Sequence, residues 1–201
     1  MTKIIGLTGR SGAGKGAVCK IFQNLGIPSI DTDAVYHEIL TKKCACTDEL
    51  VAAFGSEILD ENGLVVRAKL AARVFGKENT DALLHSLNSI THKYIMAKTR
   101  ELVQIHRKNG VRAVLIDAPQ LFEAGVEKEC DLTLGVIAPD ALCVTRIMER
   151  DGISKENAQK RLAAQHNNNY FRKNCTAVIE NAGTQAELEE RVCQFLKDFG
   201  V

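Results

Sequence analysis

Seven residues near the amino terminus, Gly9-Arg10-Ser11-Gly12-Ala13-Gly14-Lys15, have the types and spacing of a cradle for phosphate. Glycine lacks the Cβ that would hold backbone N–H groups away from an anion. A helix starting behind the loop adds unpaired donors and the positive end of its dipole. Lys15 then reaches the β- and γ-phosphates of a nucleoside triphosphate. The spacing follows G-x-x-x-x-G-K, but the next residues are Gly16 and Ala17, where a hydroxyl normally helps to hold Mg²⁺. The competing reading is a glycine-rich turn with an incidental lysine, and the context argues against it. The run Ile4-Ile5-Gly6-Leu7 before the loop reads as a strand, and Val18, Ile21, Phe22 and Leu25 after it mark one buried face of a helix that stops at Gly26.

Carboxylates stand at two further points where a sheet would present them. Asp31 and Asp33 follow the strand-like Pro28 to Ile30, and ligands gather at the carboxyl ends of strands in open α/β sheets. Asp31 or Thr32 could cap the helix Ala34 to Leu40, which leaves Asp33 for chemistry: aligning a hydroxyl nucleophile and accepting its proton. Asp117 closes the apolar run Arg112 to Ile116 and resembles a Walker-B carboxylate that holds Mg²⁺ directly or through water; a strand-end cap is its plainer reading. Arg146 and Arg150 would share one face of a helix from Asp140 to Arg150, as a phosphate clamp or as an ordinary solvated face beside Glu149 and Asp151. His92 lies on a long helix, where substrate contact and a buried, hydrogen-bonded histidine are equally good readings. No histidine pairs with a Ser or Cys in a nucleophile motif, and Cys44-Ala45-Cys46 has no second ligand cluster to complete a metal site.

The elements that must position these residues alternate. Strand-like runs at Lys3 to Leu7, Pro28 to Ile30, Val111 to Ile116, Leu132 to Ile137 and Ala177 to Ile179 are separated by helical patterns, which predicts an α/β fold: a five-stranded parallel sheet with helices on both faces. Some eighty residues between the second and third strands are too many for one crossover. They read as helices near Asp48 to Phe54, Arg67 to Phe75 and Thr80 toward Arg107, the last capped by Gly110. The expected division is a core of about residues 1–33, 111–139 and 175–201, a helical insertion over about 34–110, and a lid over about 140–174. Within the lid, Asp140 to Phe171 is polar and reads as a mobile flap. A closing helix carries a capping box of Thr184 and Glu187 and an apolar face of Leu188, Val192, Phe195, Leu196 and Phe199.

At 201 residues the chain is long enough for one domain with an insertion, and too short for two large domains. With 26 Lys+Arg against 25 Asp+Glu, no global charge recruits nucleic acid or an anionic membrane, so any anion site is local. No stretch approaches the length of a membrane span. Seven scattered cysteines suit a reducing cytoplasm better than a disulfide framework.

A series of motifs runs along nearly the whole chain: Ile5-Gly6-Leu7-Thr8-Gly9 entering the loop, Asp31-Thr32-Asp33, Asp60 to Arg67, Leu87-Asn88-Ser89-Ile90-Thr91-His92, Asp117 to Glu123, Arg146 to Asp151, Gln165, and Val178-Ile179-Glu180-Asn181. In this the chain resembles the dephospho-CoA kinases, P-loop enzymes that phosphorylate the ribose 3′-hydroxyl of dephospho-CoA in the last step of CoA synthesis. The resemblance implies a P-loop NTPase fold, ATP and Mg²⁺ as cofactors, and dephospho-CoA and ATP as the small-molecule partners of a monomer or weak homo-oligomer. It implies catalytic roles for Asp33, Lys15 and Arg150. ATP would lie against Gly9, Ser11, Gly12, Ala13, Gly14, Lys15, Gly16, Ala17, Arg146 and Asn181, with Asn181 near the adenine. Dephospho-CoA would lie among Thr8, Arg67, His92, Leu121, Phe122 and Glu123, and Asp117 would serve Mg²⁺. The chain departs from the family at Gly16-Ala17 for Ser-Thr, at Lys93 where a proline usually follows the histidine, and at Gln120 for an apolar residue. A nucleoside monophosphate kinase and a catalytically reduced ATP- or CoA-binding protein are the two competing readings.

Overall fold

A computed structural model of the chain describes residues 2–76 and 80–201. Five strands, β1 (Lys3–Gly9), β2 (Ser29–Asp31), β3 (Ala113–Asp117), β4 (Leu132–Ile137) and β5 (Ala177–Glu180), form one sheet in the order β2-β3-β1-β4-β5. β1 lies at its centre, parallel to β3 with Ile5 opposite Leu115 and Leu7 opposite Asp117, and parallel to β4 with Gly9 opposite Val136. β5 continues the parallel arrangement with Ile179 opposite Val136. The register explains why β3 and β4 are apolar without alternation: both of their faces are covered, so successive side chains such as Val114, Leu115 and Ile116 are all buried.

By contact the chain divides into two compact units, residues 1–30 with 105–201, and residues 31–104. In the first unit, α1 (Lys15–Asn24) and the closing helix α9 (Gln185–Asp198) pack together on the sheet. Val18, Ile21 and Phe22 meet Leu188, Val192, Phe195 and Leu196 in one core, with the Phe22 and Phe195 rings 6.3 Å apart. Thr184 and Glu187 form the reciprocal capping box at the start of α9. Phe199, expected on the same face, falls just past the helix and is half-buried.

The polar stretch between β4 and β5 folds as three helices, α6 (Asp140–Asp151), α7 (Lys155–Ala163) and α8 (Asn168–Asn174). Ser154 and Asn167 cap α7 and α8 through their side chains, which is why this hydrophilic segment is helical. Its inner side is less polar than its composition suggests. Cys143, Val144, Ile147, Ala158 and Leu162 are buried in the main core.

The second unit is helical: α2 (Thr32–Leu40), α3 (Ala45–Phe54), α4 (Arg67–Val74) and most of α5 (Thr80–Lys108). Leu40, Cys46, Leu50, Phe54, Ile58, Leu70 and Val74 form its own core, with Leu83, Leu84, Leu87 and Ile90 packed against them. Among the described residues, no helix is long and apolar enough to cross a membrane.

Candidate active site

The loop after β1 forms a cradle. Gly12 and Gly14 have φ of +76° and +98°, the left-handed region in which a side chain is strained. A Cβ on Gly12 would lie 2.4 Å from the Cys143 carbonyl oxygen, and one on Gly14 would lie 2.1 Å from Asn181 Nδ2. Both glycines are therefore required by close approach as well as by backbone shape. Lys15 opens α1, and its ammonium donates to the carbonyl of Gly9 at 3.2 Å, so the cation lies over the mouth of the loop.

The flanks of the loop are held by the three helices that follow β4. Arg10, only 5 % exposed, pairs with Asp140 and donates to the Leu162 carbonyl at 3.3 Å. The Ser11 amide donates to Gln165 Oε1 at 2.8 Å, and Arg150 Nη2 donates to the Ser11 hydroxyl at 3.2 Å. Arg150 also pairs with Asp151, which holds that carboxyl below its ordinary range. Arg146 is turned toward the backbone: its Nη1 donates to the carbonyls of Gly12 and of Asn181, each at 3.2 Å. Asn181, 7 % exposed, donates to the Ala13 carbonyl at 2.9 Å. The anchoring role of Arg10 is not visible in the sequence, because its partners lie 130 and 152 residues away.

Asp117 ends β3 beside the start of the loop, opposite Leu7, and its Oδ2 accepts from the Cys19 thiol at 3.4 Å. After β3, Thr8 donates to the Pro119 carbonyl at 3.2 Å and is almost fully buried, which ties the segment Ala118 to Glu123 to β1. Leu121 is wholly buried and anchors that segment. Phe122 is half-buried and meets the Tyr170 ring edge to face at 5.8 Å. Glu123 is exposed, with His166 Nε2 at 3.1 Å, and the His166 ring lies flat on Tyr170 at 3.6 Å.

In the helical unit, Asp31 Oδ1 accepts from the Asp33 and Ala34 amides at 2.8 and 3.2 Å and so caps α2. The capping role goes to Asp31, and Asp33 lies on the first turn, exposed. Arg67 opens α4 after a tight turn in which Asp60 Oδ1 accepts from the amides of Asn62 and Leu64 at 2.9 and 2.8 Å. His92 is half-buried on α5, and burial alone lowers its pKa below the ordinary histidine value.

The parts of an anion site are thus side by side: two left-handed glycines, one lysine at a helix start and an arginine beside the loop. A cradle of this kind at the end of the central strand of a parallel sheet defines a P-loop nucleotide-binding protein. A family model described as Dephospho-CoA kinase matches residues 3–187. The dephospho-CoA kinase of Corynebacterium diphtheriae is 36% identical over 187 residues, covering 93% of this chain and 92% of the relative. That of Geobacillus kaustophilus is 35% identical over 199 residues, covering 99% and 98%. Among solved structures, a Thermus thermophilus protein superposes with a TM-score of 0.79 at 31% identity, over 98% of this chain and 97% of that one. The dephospho-CoA kinase of Campylobacter jejuni gives 0.71 at 26% identity, over 99% and 98%. A shikimate kinase from Bacteroides thetaiotaomicron, at 15% identity and a TM-score of 0.53, shares the fold alone. The chain belongs to the dephospho-CoA kinase family.

Proposed function

We propose that this chain transfers the γ-phosphoryl group of ATP to the ribose 3′-hydroxyl of dephospho-CoA, giving CoA and ADP. The observation that carries the reading is the cradle Gly9 to Lys15, with its two left-handed glycines and its lysine, in a chain that matches the family along nearly its full length. Phosphoryl transfer passes through a loose transition state, so catalysis depends on positioning and charge neutralisation more than on covalent chemistry. The loop amides and Lys15 hold the β- and γ-phosphates, and Arg150, already beside Ser11, meets charge that grows on the transferring group. Asp33 orients the acceptor hydroxyl and takes its proton. Arg67, His92, Phe122 and Glu123 bind dephospho-CoA, with Thr8 and Leu121 shaping the segment that presents Phe122 and Glu123.

The residues present fit Mg²⁺. Asp117 offers a hard oxygen ligand at the strand end, and a Cβ on Gly16 would meet nothing within 4 Å, so that side of the loop has room for the waters that Mg²⁺ retains. When bound, Mg²⁺ would supply positive charge that offsets the charge of the phosphates. Asp117 would hold it directly or through water. All seven cysteines are free thiols, which supports a reducing, cytoplasmic setting.

Incubation of the chain with ATP, Mg²⁺ and dephospho-CoA, followed by chromatography against authentic CoA, tests the proposal. CoA and ADP are expected in equal amounts. ATP bound without any CoA formed would overturn it.

A further inference from the structure

Arg67 is exposed at the start of α4, and its guanidinium carbon lies 5.9 Å from the centroid of the Tyr36 ring. Among the described residues, this guanidinium meets a ring and not a carboxylate. Tyr36 is half-buried on α2, where it packs against the helical core formed by Leu40, Leu50 and their neighbours, so the ring is a fixed surface. It also lies one helical turn beyond Asp33, on the same side of α2. The backbone of Arg67 is fixed too. The Asp60 turn precedes it, and the Val66 amide donates to the Ile58 carbonyl at 2.8 Å.

The chemical consequence follows from the kind of partner. A carboxylate beside Arg67 would have to be displaced before an anionic ligand could use the guanidinium. An aromatic face attracts the cation through its quadrupole, limits its rotamers, and leaves the N–H edge available for two parallel bonds to phosphate oxygens. An arginine held in this way loses less freedom when an anion binds.

We propose that Tyr36 is a positioning residue for Arg67, and that the pair forms the subsite for the diphosphate of dephospho-CoA. This rests on the functional reading above. Tyr36 acts through the orientation of Arg67. The hydroxyl of Tyr36 has no part in it, so phenylalanine serves equally well at this position.

The test is a double-mutant cycle on steady-state kinetics. Tyr36→Leu is expected to raise the KM for dephospho-CoA by about 3- to 10-fold, with kcat and the KM for ATP within twofold of wild type. Tyr36→Phe is expected to restore the wild-type KM. In an Arg67→Met background, Tyr36→Leu is expected to have no further effect. A rise in the dephospho-CoA KM on Tyr36→Leu that persists in the Arg67→Met background would come from lost packing alone, and that persistence overturns the proposal. So does an unchanged dephospho-CoA KM in Tyr36→Leu. Ligand binding provides a second readout, because the chain has three tyrosines and no tryptophan. Dephospho-CoA added without ATP is expected to change the tyrosine emission of wild type and to change that of Tyr36→Phe much less. Equal changes in the two proteins contradict the subsite. If wild type forms CoA while these variants behave alike, the Tyr36 proposal fails and the function stands; if wild type forms no CoA, both fail.

Discussion

The side-chain amide of Asn181 donates to the carbonyl of Ala13 at 2.9 Å, so the turn that leaves β5 grips the phosphate loop from outside. Arg146 adds a second grip through the Gly12 carbonyl and links back to the carbonyl of Asn181. Residues expected around the nucleotide thus also set the shape of the cradle that receives it.

Removing that grip should have a thermal signature. Asn181→Ala leaves a buried carbonyl with a poorer partner, at a cost of about 1–2 kcal/mol. For a chain of this size the melting temperature should fall by about 2–8 °C, with a several-fold rise in the ATP KM. Thermal unfolding followed by circular dichroism checks this, and an unchanged Tm would mean that Arg146 alone holds the loop.

Arg146 and Arg150 lie one turn apart but meet different partners, and their variants should separate. Arg146→Ala should weaken ATP binding and lower Tm, because the guanidinium bonds to backbone carbonyls of the loop. Arg150→Ala should lower kcat by about 10- to 1000-fold with a smaller change in the ATP KM, as expected for a group that meets transition-state charge. Steady-state kinetics with ATP as the varied substrate distinguishes them. A change confined to KM in Arg150→Ala would assign that residue to ground-state binding.

With Asp31 serving as the N-cap of α2, Asp33→Asn removes a carboxylate without removing the cap. It should lower kcat by roughly 10²–10⁴-fold while ATP still binds. Isothermal titration with a non-hydrolysable ATP analogue, alongside turnover, checks both halves. Near-normal kcat would remove Asp33 from the chemistry.

Much of this was legible in the sequence because local rules agreed with one another. The strand-like runs at Lys3 to Leu7 and Leu132 to Ile137 end within two residues of β1 and β4, and Thr184 with Glu187 form the capping box their spacing indicates. The cap at Asp31 remained open between two neighbours, since Asp and Thr are both good caps and only the bond to the Asp33 and Ala34 amides separates them. The inner side of α6 and α7 was not legible. Cys143, Ala158 and Leu162 are small or scattered, and burial there is imposed by tertiary contact. Nor could Arg10 be read, since a charged residue within a glycine loop looks exposed until the Asp140 and Leu162 partners arrive from distant helices.

The loop lacks hydroxyls at Gly16 and Ala17, and Gly16 has room for a side chain. Gly16→Ser with Ala17→Thr should shift the Mg²⁺ dependence of turnover to lower concentration, with little change in the dephospho-CoA KM. Mg²⁺ titrations of the two proteins that superimpose would show that this loop does not limit metal binding.

Burial lowers the pKa of His92, which gives a pH-dependent stability of known sign. Well above the ordinary histidine pKa of about 6.5, both the folded and unfolded forms are neutral and nothing is gained or lost. As pH falls through that value, the unfolded chain takes up the proton more readily and the folded state is destabilised. His92→Gln should therefore reduce the drop in Tm between about pH 7.5 and 5.5; an identical drop in both proteins would place the acid sensitivity elsewhere.

The most direct test of the account is a ranking of phosphoryl acceptors. Purified chain, ATP and Mg²⁺ are presented with dephospho-CoA, AMP, CMP and UMP in parallel, and kcat/KM is measured for each. The account predicts that dephospho-CoA is the best substrate and that the product carries its new phosphate on the ribose 3′ position. A higher kcat/KM for any of the three nucleoside monophosphates would contradict it.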